Sequence, residues 1–394
     1  MSVLVSRFPA PRCSDCGLVD PKDRIILGKP LSDTQNTAVL RSRYRWTEDF
    51  QKAKLWIRED AYVTEKALQA FVESAQNTER PCYFRAQDRV GEFFDEISLS
   101  DRQPCLVWMP NGGEPSSKLL DEMPFLSIDA HPRLIPFEAP DDDFPFTFVE
   151  LPLTDIIVLP TQHWAQLLWV NLMGLGPYLW RELVGRNVFS IIWNGLGALI
   201  RARSVHFIDI FAALRYRGKK CRIHPSAVVE GCWIGDNVTI GANAVVRGSI
   251  LADGAVVEDL AMVEFSVLGE LAKVQRQAMV KFSVLSDQSS VGGVVQLGVL
   301  GESASVKRGA YLLDMTLSDG GVQVLYNGER CPVPLGVIGC FVGDESTVGL
   351  GVHVAPGRAI PPRLKVTAPA GLLMKVSGEL EGVVEVKDGS LVKR

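Results

Sequence analysis

The stretch Ala261-Met-Val-Glu-Phe-Ser-Val-Leu268 returns as Ala278-Met-Val-Lys-Phe-Ser-Val-Leu285, so seven of eight residues recur after a shift of seventeen. The shift holds outside the phrase. Aliphatic residues fall into three columns at this step: Ile223, Ile240, Val257, Val274, Val291; then Val229, Val246, Val263, Val280, Leu297; then Ile234, Leu251, Leu268, Leu285. A short fixed repeat marks a solenoid, in which each unit covers the apolar face of its neighbour.

Each repeat of seventeen divides into six, six and five residues, which predicts coils with three short sides and one inward aliphatic residue per side. Small residues recur four places after many of the aliphatics, as at Ala227, Ala244, Ala255, Ala261, Ala272 and Ala278. This is the hexapeptide pattern of a left-handed parallel β-helix; a sandwich would alternate with period two and carry no constant translation. The same register places Arg247, Glu264 and Lys281 in one outward column, Phe265 over Phe282, and Asp259 over Arg276, with neighbouring coils about 4.8 Å apart. Beyond Leu285 the step to Leu300 falls to fifteen, as it does from Val291 to Val306 and from Leu297 to Leu312. A loop near 314–335 interrupts the coils, and Val342, Val348, Val354 and Ile360 resume them at intervals of six.

The chain has 394 residues, 47% hydrophobic and 22% charged, an ordinary globular balance with room for two or three domains. Its net charge of −5 gives no footprint for nucleic acid. The start has no basic leader ahead of a long apolar run, and no stretch of about 20 apolar residues occurs, so a cytoplasmic protein is expected. Eight cysteines are scattered; Cys13 and Cys16 alone form a Cys-x-x-Cys pair, with no second pair or histidines nearby to complete a zinc site. Free thiols and no metal are the expectation.

Residues 1–160 read as an α/β domain, with strands at Cys82–Ala86, Cys105–Met109 and Ile156–Leu159 and a helix over 64–75 behind a threonine cap. Asp141, Asp142 and Asp143 sit in a proline-flanked, solvated loop. No glycine-rich phosphate cradle follows the first apolar run: Arg24-Ile-Ile-Leu-Gly28-Lys29-Pro30 offers one glycine and one lysine, and Asn111-Gly112-Gly113 reads as a turn. Residues 161–220 form a basic helical connector. Trp164, Leu167, Leu168, Leu172 and Leu175 mark one helical face, and 178–184 and 188–200 suggest two further segments. Arg181, Arg186, Arg201, Arg203, Arg215, Arg217, Lys219 and Lys220 stand against Glu182 and Asp209, a local charge of +6. Such a segment either packs between domains or subunits or lies peripherally on an anionic inner membrane surface; packing is favoured. The β-helix then runs over 221–365, and 366–394 form a tail that caps its open end.

The run Ser318 to Asp344, containing Gly328-Glu-Arg-Cys-Pro-Val-Pro-Leu-Gly-Val-Ile-Gly-Cys-Phe-Val-Gly-Asp344, with Gly351-Val-His-Val-Ala-Pro-Gly357 after it, resembles the β-helix of bifunctional sugar-1-phosphate nucleotidylyltransferase/N-acetyltransferases of the glucose-1-phosphate thymidylyltransferase-like kind. His163-Trp-Ala-Gln-Leu-Leu-Trp-Val-Asn171 is similar to the helix by which that family leaves its nucleotidylyltransferase domain. The resemblance implies a degenerate nucleotidyltransferase-like α/β domain, a homotrimeric β-helix, a sugar phosphate or nucleotide sugar as ligand, and acetyl-CoA or another acyl-CoA as donor. The departures are specific. The family's Gly-rich opening loop has no counterpart, and its acetyltransferase His and Tyr positions fall on Arg276 and Met279.

General base work near neutral pH is usually done by histidine, and the β-helix holds His224 and His353. His353 precedes the inward Val354 and should point outward, which makes it the candidate base; Arg276 and Lys281 are the candidates for phosphate groups. Two functions stand side by side: a sugar-nucleotidyltransferase-like hexapeptide transferase, and a non-catalytic trimeric scaffold or nucleotide-sugar sensor.

Overall fold

The computed structural model describes residues 3–10, 24–99, 101, 103–138, 148–184, 213–316 and 321–367, positions 192 and 196, and the backbone of 384–387 and 390–393. Cys13, Cys16, the Asp141–Asp143 run and most of the segment 188–200 lie outside the described residues.

The C-terminal half is a parallel β-solenoid with three faces of eight, eight and seven strands. Each strand pairs with the one a coil away: Val246 with Val263, Val263 with Val280, Ile240 with Val257, Leu251 with Leu268. The inward aliphatics form one core in which Ile240, Val246, Leu251, Val263, Leu268, Val280 and Leu285 are buried. The opening phrase thus fills two successive coils.

Its polar letters are also placed. Ser249, Ser266 and Ser283 are buried at one corner; the Ser266 N–H donates to Ser249 Oγ at 3.0 Å, the Ser283 N–H to Ser266 Oγ at 3.1 Å, and the Gly298 N–H to Ser283 Oγ at 3.1 Å. These hydroxyls satisfy corner N–H groups that would otherwise be buried without partners. Phe265 and Phe282 stack at 5.3 Å and 8° in left-handed corner positions at φ 47. Below them only glycine fits: a Cβ on Gly248 would lie 2.7 Å from the Phe265 ring. Aspartates cap another corner, Asp236, Asp253, Asp287 and Asp344 each accepting a backbone N–H from the preceding coil at 2.6–2.8 Å.

One column differs from the expected register. Val280 pairs with Val295, which is fully buried, and Val295 with Leu312; Leu297 is instead the next corner residue after Phe265 and Phe282, with φ 47. Two residues are lost between Val291 and Val295, where Gly292-Gly293 turns the chain more tightly, so the step from Val295 to Leu312 is again seventeen. The solenoid is then interrupted after Leu312 by an antiparallel hairpin, Gln323–Tyr326 with Glu329–Pro332, and resumes at Phe341.

The N-terminal domain has a six-stranded mixed sheet, in the order Arg45–Trp46, Leu4–Phe8, Leu55–Arg58, Leu106–Trp108, Cys82–Ala86, Phe125–Ile128. Leu55–Arg58 is buried along its length, the mark of a strand covered on both faces. Helices α1 (Leu31–Arg41), α2 (Glu65–Ala75), α3 (Asp88–Ile97) and α4 (Ser117–Glu122) accompany it, and α2 is capped as expected, the Ala67 N–H donating to Thr64 Oγ1.

Helix α5 (Trp164–Val184) is one continuous element, not a helix broken after Leu175; Pro177 lies inside it. It runs along one of the two eight-stranded faces of the solenoid, the one that holds Ile250–Leu251 and Phe341–Val342. Trp164 stacks on Phe341 at 6.3 Å and 15°, and the C-terminal part of α5 packs beside Arg215–Arg217 and Cys232–Ile234. Ile250, Val267, Val284, Val299 and Phe341, the outward residues of that face, join the same buried cluster as α5 and the N-terminal sheet. Helix α5 is therefore packing material, whereas Arg215, Arg217, Lys219 and Lys220 are exposed, and no helix among the described residues is long and apolar enough to cross a membrane.

Two neighbouring substitutions should separate the two sides of this face. Leu268→Ala opens the solenoid core and should cost about 2–5 kcal/mol in urea unfolding, whereas Val267→Lys should leave the coils intact and detach α5. Limited proteolysis that cuts the N-terminal domain free of an intact solenoid in Val267→Lys, but not in the parent, is the expected result.

Candidate functional site

On the seven-stranded face two outward columns run side by side. One is Val228, Val245, Met262, Met279, Val294, Tyr311 and His353; the other is Glu230, Arg247, Glu264, Lys281 and Gln296. The second is the expected charge ladder. Arg247 Nε meets Glu230 Oε2 at 2.8 Å, Arg247 Nη1 meets Glu264 Oε1 at 3.2 Å, and Lys281 Nζ meets Glu264 Oε2 at 3.1 Å. Gln296 Nε2 continues it to Asp314 Oδ2 at 3.3 Å. Burial raises the Asp314 carboxyl above the usual range of its kind.

Arg276 stands on the neighbouring corner, with Nη2 2.9 Å from Asp259 Oδ2 and its backbone N–H on Glu258 Oε2 at 2.8 Å. Arg276 and Lys281 each hold an acid one coil away. His353 lies three coils beyond Met279, which is about 14 Å at the strand spacing. The fold thus puts His353 and Lys281 on one face but does not bring them into one constellation.

His353 is exposed and meets the edge of Tyr311, ring centroids 6.2 Å apart at 63°. No hydrogen bond engages its ring among the described residues. His224 is different: its Nδ1 is 2.8 Å from Ser226 Oγ and accepts the Ser226 N–H at 3.2 Å, so it caps a turn.

A second polar cluster, at the end of Leu55–Arg58, was not expected from the sequence. Arg58 is fully buried and saturates its five donors. Nε lies 2.5 Å from Asp60 Oδ1, Nη2 is 3.2 Å from Asp60 Oδ2 and 2.7 Å from Asp101 Oδ2, and Nη1 reaches Asp101 Oδ1 and the Gln103 carbonyl. Nothing remains for a ligand, so this is an internal tie. The sole signal in the sequence is a charged triplet, Arg58-Glu59-Asp60, directly after an apolar strand. Arg58→Ala would strand two buried carboxylates and should cost about 3–5 kcal/mol in chemical denaturation.

The connector motif is likewise structural. The Ala165 N–H donates to His163 Nδ1, Gln166 Nε2 donates to the Ser98 carbonyl at 2.9 Å, and Tyr326 Oη, on the hairpin, donates to Gln162 Oε1 at 2.8 Å. Asn171 accepts the Leu27 N–H at 2.7 Å and donates to the Ile25 carbonyl, pinning the hairpin Ile25–Pro30 to α5.

Six cysteines are described and all are free. Burial pushes the thiols of Cys105, Cys232 and Cys340 up to about 12 from 9.0. Because the folded values are raised, their contribution to stability is complete below pH 9 and is lost as pH rises toward 12. At pH 8 Cys232 and Cys340, which are fully buried, should stay unlabelled by a disulfide reagent until the protein is denatured, whereas the partly exposed Cys105 is no part of that test, and an alkaline titration should unfold the protein progressively above pH 9. Rapid native labelling of Cys232 or Cys340 would contradict their placement.

Among solved structures, a protein of Bacillus cereus provisionally described as an acetyltransferase is similar over 36% of this chain and 78% of its own, at 17% identity and a TM-score of 0.17, too low to carry an argument. No curated protein matches the sequence. Residues 218–248, the first coils, match the family model described as bacterial transferase hexapeptide (six repeats).

Proposed function

We propose that the protein is a hexapeptide-repeat transferase of sugar-nucleotide type, moving an acyl group from acetyl-CoA or another acyl-CoA to a sugar phosphate or nucleotide sugar on the seven-stranded face. The observation that carries this reading is His353: an exposed imidazole, free of hydrogen bonds among the described residues, beside Tyr311 on an outward column of the solenoid. As base it takes the proton from the acceptor's N–H or O–H while the acceptor attacks the thioester carbon; the C–S bond breaks and the coenzyme A thiolate leaves. The half-buried apolar column Val245, Met262, Met279 and Val294 suits assembly into a homotrimer, whose neighbouring subunit supplies the second wall of such a site. Arg276 and Lys281 serve phosphate groups in this reading by exchanging their acidic partners for the ligand.

A specific observation favours a second reading, the non-catalytic scaffold or nucleotide-sugar sensor: both of those cations are already held, by Asp259 and Glu264. Cytoplasmic placement, with or without peripheral membrane contact, suits either. The test is release of free coenzyme A from acetyl-CoA in the presence of amino sugars, sugar 1-phosphates and nucleotide sugars. The transferase reading expects turnover that falls at least 100-fold in His353→Ala, with the variant still trimeric by light scattering. Absence of turnover with every acceptor, or turnover untouched by His353→Ala, leaves the scaffold.

A further inference from the structure

The coil that opens the solenoid carries charge of one sign. Its strands, Arg215–Arg217, Arg222–Ile223 and Val228–Glu230, are the first members of the three faces, so each leaves one edge unpaired. From 210 to 229 the sequence holds five cations, Arg215, Arg217, Lys219, Lys220 and Arg222, and no acid, in a chain whose net charge is −5. All five are exposed. A terminal coil needs polar residues to stop further strands from pairing with it, but residues of either sign serve that end.

These charges also differ from the cations of later coils. There Arg247, Lys273, Arg276 and Lys281 each meet an acid at 2.7–3.2 Å. The five on the first coil have no ion pair among the described residues: Arg217 Nη2 donates to the Cys221 carbonyl, and Lys219 offers its backbone N–H, not its ammonium, to Asp236 Oδ1. A second observation lies in the chain just before them. Helix α5 packs against Arg215–Arg217 and ends at Val184, so the chain between the two leaves and returns beside the first coil. Residues 188–200 carry no charge; Arg186 precedes them, and Arg201 and Arg203 follow. An apolar run of this length marks either a core helix or one that lies in a membrane interface. Within it Ile192 and Leu196 are helical, four residues apart on one helix face, and exposed at 63% and 52%. A core helix would bury that face.

We infer that this end of the solenoid docks on an anionic lipid bilayer, with Arg215, Arg217, Lys219, Lys220 and Arg222 against the headgroups and Ile192 and Leu196 in the interface. Headgroup phosphates supply the negative charge that these cations lack within the fold. The boundary between headgroups and acyl chains takes exposed aliphatic side chains as well, whereas a nucleic acid would match the cations and leave Ile192 and Leu196 in water. Each cation held at an anionic surface strengthens binding about fivefold, so five of them suffice for reversible attachment. The surface is remote from His353 in chain and in coil, and the inference holds for either reading of the transfer face.

The test is flotation of the full chain with vesicles of phosphatidylcholine alone and of phosphatidylcholine with about 30% phosphatidylglycerol. The protein should float with the anionic vesicles only, and raising the salt from about 0.05 to about 0.5 M should weaken binding severalfold. The triple variant Lys219→Gln, Lys220→Gln, Arg222→Gln should bind at least tenfold more weakly. Ile192→Ser with Leu196→Ser should also weaken binding, and both variants should keep the parent's circular dichroism spectrum and its mass by light scattering. Replacing Arg358, Arg363 and Lys365 by Gln, at the far end of the solenoid, should change nothing. No flotation, equal flotation with both vesicles, or a loss matched by the far-end variant would each overturn the assignment. So would displacement from the vesicles by duplex DNA at equal phosphate, which assigns the cations to nucleic acid, or a changed mass in either first-coil variant, which marks an interface between copies of the chain.

Discussion

The structure depends on one solenoid face that is apolar on both sides. Leu251, Leu268, Leu285, Leu300 and Val342 point into the coils, while Ile250, Val267, Val284, Val299 and Phe341 point out and are covered by α5 and the N-terminal domain. At about 25 cal/mol per Å² of apolar surface removed from water, a continuous column of this kind outweighs any of the exposed ion pairs on the other faces, which contribute about 0–1 kcal/mol each. The solenoid is consequently not an appendage but one wall of the N-terminal core.

That arrangement was written in the repeat. Strands covered on one side alternate, as in Lys273-Val274 or Met279-Val280, with the outward residue polar or only half-buried. Strands covered on both sides read as doublets: Ile250-Leu251, Val267-Leu268, Val284-Leu285, Val299-Leu300. The coils, the charge ladder and the Phe265–Phe282 stack were legible because a constant translation fixes what lies over what. The shortened coil was legible in length but not in place, since Leu297 is aliphatic and falls on the seventeen-residue step; only the corner geometry at Gly292-Gly293 moves the inward position to Val295.

The candidate site was less legible, for a physical reason. Which residues face outward follows from the repeat, but whether a charge is free follows from what lies a coil away. Arg276 and Lys281 looked available in the sequence and are held by Asp259 and Glu264 in the fold. The Arg58 tie joins Asp60 to Asp101, forty-one positions apart, and no local pattern announces it.

Helix α5 carries a last consequence. Its 21 residues rise about 31 Å at 1.5 Å each, and the six steps from the Phe341 coil back to the Tyr216 strand rise about 29 Å at the strand spacing. Each coil is therefore matched by about 3.2 helical residues, close to the three- and four-residue spacing of one helix face. A free-standing solenoid gains or loses coils with little constraint, since each touches only its neighbours. Here the helix is a ruler: a coil inserted or deleted beneath it would put every later contact, from Trp164 on Phe341 to Gln162 on Tyr326, out of step by one coil, so the number of coils is fixed by the length of an element that belongs to none of them.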